Sequence, residues 1–248
     1  MTIEPRTYTG DPIDCKDCLY GNRPDVSCVL GKSCVMDRLA CRIDHFFKEN
    51  PFLAEQYLDH PYFEVRAIVA KHVNLFYLRR LAKDPDETVR ASVAVRAPRS
   101  LLLSLCQDPS REVRVRVAAK LKNKDLLLLV RDADYYVRTI VAMRLSTSML
   151  AMMRHDPDPE VRAIVASRIE AQWLLAMAQD QNARVRLAVA KRLAPEQLTV
   201  FQNDPDWLVR LEAAQRIAPF LLPLFANDPE EEVRKVIHAR QAEEKTVW

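Results

Sequence analysis

Residues 156–166 read Asp156-Pro157-Asp158-Pro159-Glu160-Val161-Arg162-Ala163-Ile164-Val165-Ala166, and this stretch returns along most of the chain. Its Val-Arg pair stands at Val65-Arg66, Val89-Arg90, Val113-Arg114 and Val137-Arg138, then at Val161-Arg162, Val185-Arg186, Val209-Arg210 and Val233-Arg234, always 24 residues apart. Aspartate precedes seven of these valines by five residues, at Asp84, Asp108, Asp132, Asp156, Asp180, Asp204 and Asp228. Proline follows several of them, as in Pro85, Pro109, Pro157, Pro205 and Pro229. Self-similarity at a fixed period marks stacked repeats, in which one unit cannot bury its apolar face alone and its neighbours supply the core.

Each unit reads as two short segments. Asp-Pro opens the first, where aspartate can accept from free amides and proline is tolerated in a first helical turn. In one unit Val113, Val117, Ala118 and Leu121 fall on one face of an α-helix about ten residues long. The second segment carries leucine at Leu78, Leu102, Leu126, Leu150, Leu174, Leu198 and Leu222, with a second apolar residue three further on, from Leu81 to Phe225. About six to eight residues remain for it, enough for one α-turn or a 3₁₀ turn and too few for a second full helix. A strand is the competitor, and the spacing of three and prolines such as Pro98, Pro195 and Pro223 argue against it. The reading is all-α.

Composition narrows the function. The 248 residues hold three glycines, Gly10, Gly21 and Gly31, where average usage of about 7% predicts several times more. Gly-rich phosphate loops are therefore absent. No Gly-x-Ser-x-Gly elbow and no His-Glu-x2-His pair occurs, and the carboxylates recur with the repeat as caps would. No enzyme and no small-molecule substrate is expected. Nothing like a signal peptide follows Met1, and no apolar run is long enough to span a bilayer, so a cytoplasmic chain without membrane contact is expected.

Five of the six cysteines lie between Cys15 and Cys41. A reducing compartment does not accumulate structural disulfides, and clustered thiols there more often bind metal. Cys15, Cys18, Cys28 and Cys34 form Cys-x2-Cys-x9-Cys-x5-Cys, with Gly21 and Gly31 between them to give the backbone freedom. Two thiolates separated by two residues can reach neighbouring corners of one tetrahedral site. Four thiolates suit zinc or an iron–sulfur cubane, and spacing alone does not choose. Stepping back 24 residues from Val65 lands on Cys41, which reads as a small buried thiol in a degenerate opening unit rather than a ligand. Cys106 falls in a slot held elsewhere by alanine or valine and reads as packing; His45 reads as a helix-face residue.

The Asp-Pro-x-x-x-Val-Arg-x-x-Val-Ala unit with leucine in its second half resembles the leucine-rich repeat variant proteins, from about Tyr57 to Ala242. Residues 15 to 41 resemble the iron–sulfur segment at the N-terminus of some members. The resemblance implies alternating α- and 3₁₀-helices in a right-handed superhelical solenoid, and a four-iron, four-sulfur (4Fe-4S) cluster with Cys15, Cys18, Cys28 and Cys34 as ligands. It implies no activity. The expected organisation is a Cys-rich cap at 1–45, about eight repeats over 46–242 and a tail at 243–248.

Two basic columns follow from the repeat. Arg66 to Arg234 occupy one slot, and His72, Arg96, Lys120, Arg144, Arg168, Arg192, Arg216 and Arg240 another, six residues on. Stacked into stripes they could track a nucleic-acid backbone. They could equally bond carboxylates and carbonyls where units join, and a net charge of +3 says most of the positive charge is compensated. The first column reads as structural; the second stays open. Trp173 and Trp207 read as core or partner contacts. The expected role is a macromolecular interaction scaffold for a protein partner that responds to redox state through its cluster, with nucleic-acid binding or a zinc-capped scaffold as the alternatives.

Overall fold

Between consecutive Val-Arg pairs the chain passes once through an α-helix and once through a shorter, tighter helical segment. The computed structural model describes residues 3–246 other than Asp17 and Asn22. It divides into two units, Met1–Leu121 and Lys122–Trp248.

The first unit begins with turns and the isolated bridges Arg6–Pro12 and Val29–Ser33. It continues through α1 (Ala40–Glu49), α2 (Phe63–His72), a one-turn α3 (Leu78–Leu81), α4 (Glu87–Arg96), α5 (Arg99–Ser104) and α6 (Arg111–Lys120). The 3₁₀ segments Pro51–Tyr57, Leu75–Tyr77 and Leu105–Gln107 lie between them. The second unit holds α7 (Tyr135–Arg144), α8 (Pro159–Arg168), α9 (Ala183–Ala190), α10 (Trp207–Arg216) and α11 (Glu231–Thr246). Its 3₁₀ segments include Asn123–Leu129, Thr147–Met153, Pro195–Phe201 and Pro219–Phe225. Among the described residues there is no strand. The helix α1 straddles position 45, where the cap was expected to end, and α11 runs through the expected tail to Thr246.

The buried residues are the ones the period picks out. Val89, Val93 and Ala94 of α4 are enclosed, as are Val161, Val165 and Ala166 of α8. The 3₁₀ leucines Leu126, Leu150, Leu198 and Leu222 close the other side of each unit's core. An i, i+3 pair suits a helix of three residues per turn, because both side chains then point the same way.

The aspartate of the Asp-Pro pair has another job than the expected helix cap. The N-cap lies two residues later: Asp86 accepts from the Thr88 amide at 2.8 Å, and Asp134, Asp158, Asn182 and Asp206 act alike in their helices. Asp84 instead accepts from the Asp86 amide and from the Nε and Nη2 of Arg66, at 2.7 and 2.9 Å. Its register explains the change, since the turn before the helix faces the helix of the preceding repeat. The same two-pronged pair joins Arg90 to Asp108 in the first unit. It joins Arg138 to Asp156, Arg162 to Asp180, Arg186 to Asp204 and Arg210 to Asp228 in the second. Each arginine also donates Nη1 to a carbonyl of its own turn, as Arg162 does to Asp156 O and Pro157 O.

Candidate metal centre

The segment carrying Cys15, Cys18, Cys28 and Cys34 is built from turns, and two of its glycines are required by geometry. At Gly21 a Cβ would stand 2.1 Å from the Cys15 carbonyl oxygen, so no side chain fits where the Cys15–Cys18 loop closes. The Gly21 amide donates to the Cys18 carbonyl at 3.0 Å. Gly31 has φ of +78° in the tight Val29–Ser33 turn between Cys28 and Cys34.

Cys15, Cys18, Cys28, Cys34 and Cys41 are free thiols. Cys34 is buried, with 2% of its surface exposed, and Cys15, Cys18 and Cys28 are half-buried. Cys28 lies within electrostatic reach of Cys34, Cys18 and Cys15, and Cys34 within reach of Cys18. Burial pushes the Cys28 thiol up to about 12, reinforced by the charges of Cys34, Cys18 and Cys15. Burial also raises Cys34, opposed by the Met36 and Asp37 backbone, which favours its thiolate. Several thiolates brought together this way repel one another unless a cation lies among them, and thiolate is the form that binds metal. The donor set fits an iron–sulfur group in that sense. Among the described residues, no three His, Cys, Asp or Glu side chains stand at the spacing of a single bound ion.

Aromatic and charged side chains dock this segment on the first helices. The Tyr57 hydroxyl donates to Tyr20 at 2.8 Å, and burial raises Tyr57 further from ionisation, with Tyr20, Cys18 and Cys34 adding to it. Tyr8 stacks on Tyr62 with ring centroids 5.2 Å apart. Arg42 donates to Asp37 at 2.8 Å and to the Ile3 carbonyl at 2.6 Å. A cavity of about 300 Å³ opens beside Cys18, walled by Pro12, Ile13, Leu19, Met36 and Tyr57.

Cys41 corrects the sequence reading: it is exposed on α1 rather than buried. The helices α1 and α2 correspond with a step of 23 residues instead of 24, Ala40 with Phe63 and Glu49 with His72, and the buried Arg42, Phe46 and Phe47 stand where Val65, Val69 and Ala70 do. Subtracting the full period therefore lands one residue off the core face. Cys106 is buried as packing, its thiol 3.6 Å from the Leu102 carbonyl. His45 is a helix-face residue paired with Glu49 at 3.0 Å. Trp173 lies under the Arg154 guanidinium at 5.1 Å, and Trp207 is exposed.

The second basic column is also structural wherever its bonds are seen. Arg96 donates to the Ala70 and Val73 carbonyls at 2.9 Å. Arg192 reaches Ala166 O and Arg240 reaches Ala214 O, both at 2.8 Å, while Arg168 and Arg216 bond the carbonyls of Ala142 and Ala190. Each caps the last turn of the preceding repeat's helix, where the carbonyls lack intrahelical partners and the helix dipole favours a cation. Sequence reasoning missed Glu49, Asn50, Tyr20 and Tyr57. The visible signal was Glu49-Asn50, an acidic and a polar residue where later helices end in a basic residue followed by an apolar one.

Comparison with known proteins agrees with this anatomy. Residues 5–56 match the family model described as the LRV protein FeS4 cluster. The chain is 43% identical over 84 residues to an uncharacterized 27.7 kDa protein in the nifB 3' region of Rhodobacter capsulatus, a match spanning 34% of each, about a third of that relative's length. A solved structure described as a leucine-rich repeat variant with a novel repetitive protein structural motif is 38% identical, with a TM-score of 0.86 over 92% of this chain and 98% of that one. On this evidence of helix, period and cysteine segment together, the chain belongs to the leucine-rich repeat variant family.

Proposed function

We propose that this chain is a binding protein and not a catalyst: its helical repeats serve as a scaffold for a protein partner in the cytoplasm, and Cys15, Cys18, Cys28 and Cys34 hold a 4Fe-4S cluster. The observation that carries this reading is the Cys28 thiol, half-buried and held against Cys34, Cys18 and Cys15 in one turn-built segment that matches the FeS4 cluster family model. A cubane is held by four thiolates, the number this segment supplies. Such a group supplies one-electron chemistry, and hydrogen bonds to its sulfurs and exposure to water set the potential. The Met36 and Asp37 backbone favours the thiolate of Cys34, and the same influence would favour the reduced state of a bound cluster.

Support for a protein partner comes from apolar side chains left in solvent on the 3₁₀ segments. Phe76 is 78% exposed in the first unit; Leu128, Met152 and Phe220 are exposed in the second. Exposed apolar surface beyond scattered single residues marks interaction sites. Nucleic acid is the weaker partner because arginines of both columns are bonded within the repeats. The ladder carboxylates are likewise committed to arginine, which leaves no acid–base pair for catalysis in them.

The test is anaerobic purification with iron and sulfide analysis. About four of each per chain and broad absorption near ~400 nm are expected of a thiolate-held cubane. Serine at Cys15, Cys18, Cys28 or Cys34 should abolish or weaken the absorption, while serine at Cys41 or Cys106 should leave it. One zinc and no colour would remove the redox role.

A further inference from the structure

Four of the ten-residue α-helices end in a residue with the same job in the repeat. His72, Arg96, Arg168 and Arg216 end α2, α4, α8 and α10, and each reaches back to the preceding repeat. The residue after it is apolar: Val73, Ala97, Leu121, Leu145, Ile169 and Ile217, all but Ala97 buried. At the end of α1 both positions break the rule. They are Glu49 and Asn50, and Asn50 is 1% exposed.

The departure matches what lies behind α1. Among the described residues no helix precedes it; the cysteine loops do. Glu49 Oε2 accepts from the hydroxyl of Ser27 at 2.7 Å and from that of Ser33 at 3.0 Å. Those two serines immediately precede Cys28 and Cys34. Asn50 Oδ1 accepts from the Ser27 amide at 2.9 Å, and its Nδ2 donates to the Ser27 carbonyl at 2.7 Å and to Phe46 O at 2.8 Å. A later unit meets carbonyl acceptors at this joint and uses a cation; the first unit meets hydroxyl donors and uses an acceptor. A buried asparagine with both ends of its amide satisfied fixes one arrangement, since any other leaves polar groups unpaired out of water.

We propose that Glu49 and Asn50 are positioning residues for the metal centre: the repeat's own joint, rewritten at its first position, clamps the backbones entering Cys28 and Cys34. The proposal rests on reading those two cysteines as ligands. It makes the corner between α1 and the Pro51–Tyr57 segment part of the site's supporting shell, and it ties metal loading to the order of the first repeat. Partners outside the coordinating atoms orient the ligands, and their loss commonly weakens metal binding by about 10- to 100-fold.

The test uses the full chain with Glu49→Arg and Asn50→Val, each restoring what the later units carry, so circular dichroism and the thermal midpoint of the repeats should hold. Anaerobically reconstituted variants should release iron to a chelator about tenfold faster than the parent, with a displaced midpoint potential. Glu49→Gln, which keeps an acceptor oxygen, should stay close to the parent. In metal-free protein, peptide-resolved alkylation by iodoacetamide should accelerate at Cys28 and Cys34 relative to Cys15 and Cys18. Unchanged iron release and unchanged alkylation ratios in both variants would overturn the proposal. A parent chain that takes up no iron would sink the ligand reading instead, and the alkylation ratios would still decide the clamp.

Discussion

A guanidinium removed from water is expensive unless its donors are met, and the Arg162–Asp180 pair shows how the repeat meets them. Two parallel hydrogen bonds of 2.7 and 2.9 Å join the side chains, which are only 15% and 10% exposed. A third donor is spent on backbone carbonyls. Removing one partner from such a pair strands the other, which costs about 3 kcal/mol or more. Asp180→Asn should therefore lower the denaturant-unfolding free energy by about that amount. Arg184→Gln, which breaks a solvent-exposed pair with Glu160, should leave the midpoint within experimental scatter. Much of this column was legible in the sequence, because a slot filled alike in every unit serves the unit. Cys41 was not, because period arithmetic assumes a constant step and the opening unit is one residue shorter. Glu49 and Asn50 were visible only as exceptions, and an exception acquires meaning when its neighbours in space are known.

At the scale of elements, the repeat divides its polar labour between two acidic positions that the motif alone merges. Asp180 joins neighbouring units, whereas Asp158 caps α8 by accepting the Glu160 amide at 2.8 Å. Their losses should differ in kind. Asp158→Ala removes one capping bond, with an expected cost of about 1 kcal/mol. Amide hydrogen exchange should locate that loss, with Glu160 and the rest of the first turn of α8 exchanging faster while α10 keeps its protection. Uniform acceleration through both helices would mean that Asp158 also holds the joint. The segment types themselves were readable: the leucine pair three residues apart leaves room for a 3₁₀ turn and little else. Helix ends were less readable, since Asp-Pro offers two candidate caps two residues apart and only the fold shows which carboxylate faces the preceding unit.

For the molecule as a whole, charge balance is the constraint: 37 basic and 34 acidic residues give a net charge of +3, and the ladder uses many of them in pairs. That pairing makes stability depend on acid. Burial by itself would raise the Asp84 carboxyl, but hydrogen bonds from Arg66 and the Asp86 amide, with the charges of Arg66 and Arg90, outweigh it and hold it below the usual carboxylate range. Burial is likewise outweighed at Asp180, by Arg162, the Asn182 amide and Arg186. A carboxyl whose pKa is lower folded than unfolded contributes stability above its unfolded value, about 3.9 for aspartate, and loses it as pH falls through the folded value. The thermal midpoint should thus change little between about pH 7 and 5 on account of these groups, then drop below about pH 4. Acid would also strip metal from thiolates, so the measurement belongs on a chain with Cys15, Cys18, Cys28 and Cys34 replaced by serine. In that background Asp84→Asn with Asp180→Asn should start from a lower midpoint and show a shallower fall in acid, because the protons these two sites would take up are no longer linked to unfolding. An acid limb equally steep with and without the two carboxylates would place the sensitivity elsewhere in the chain.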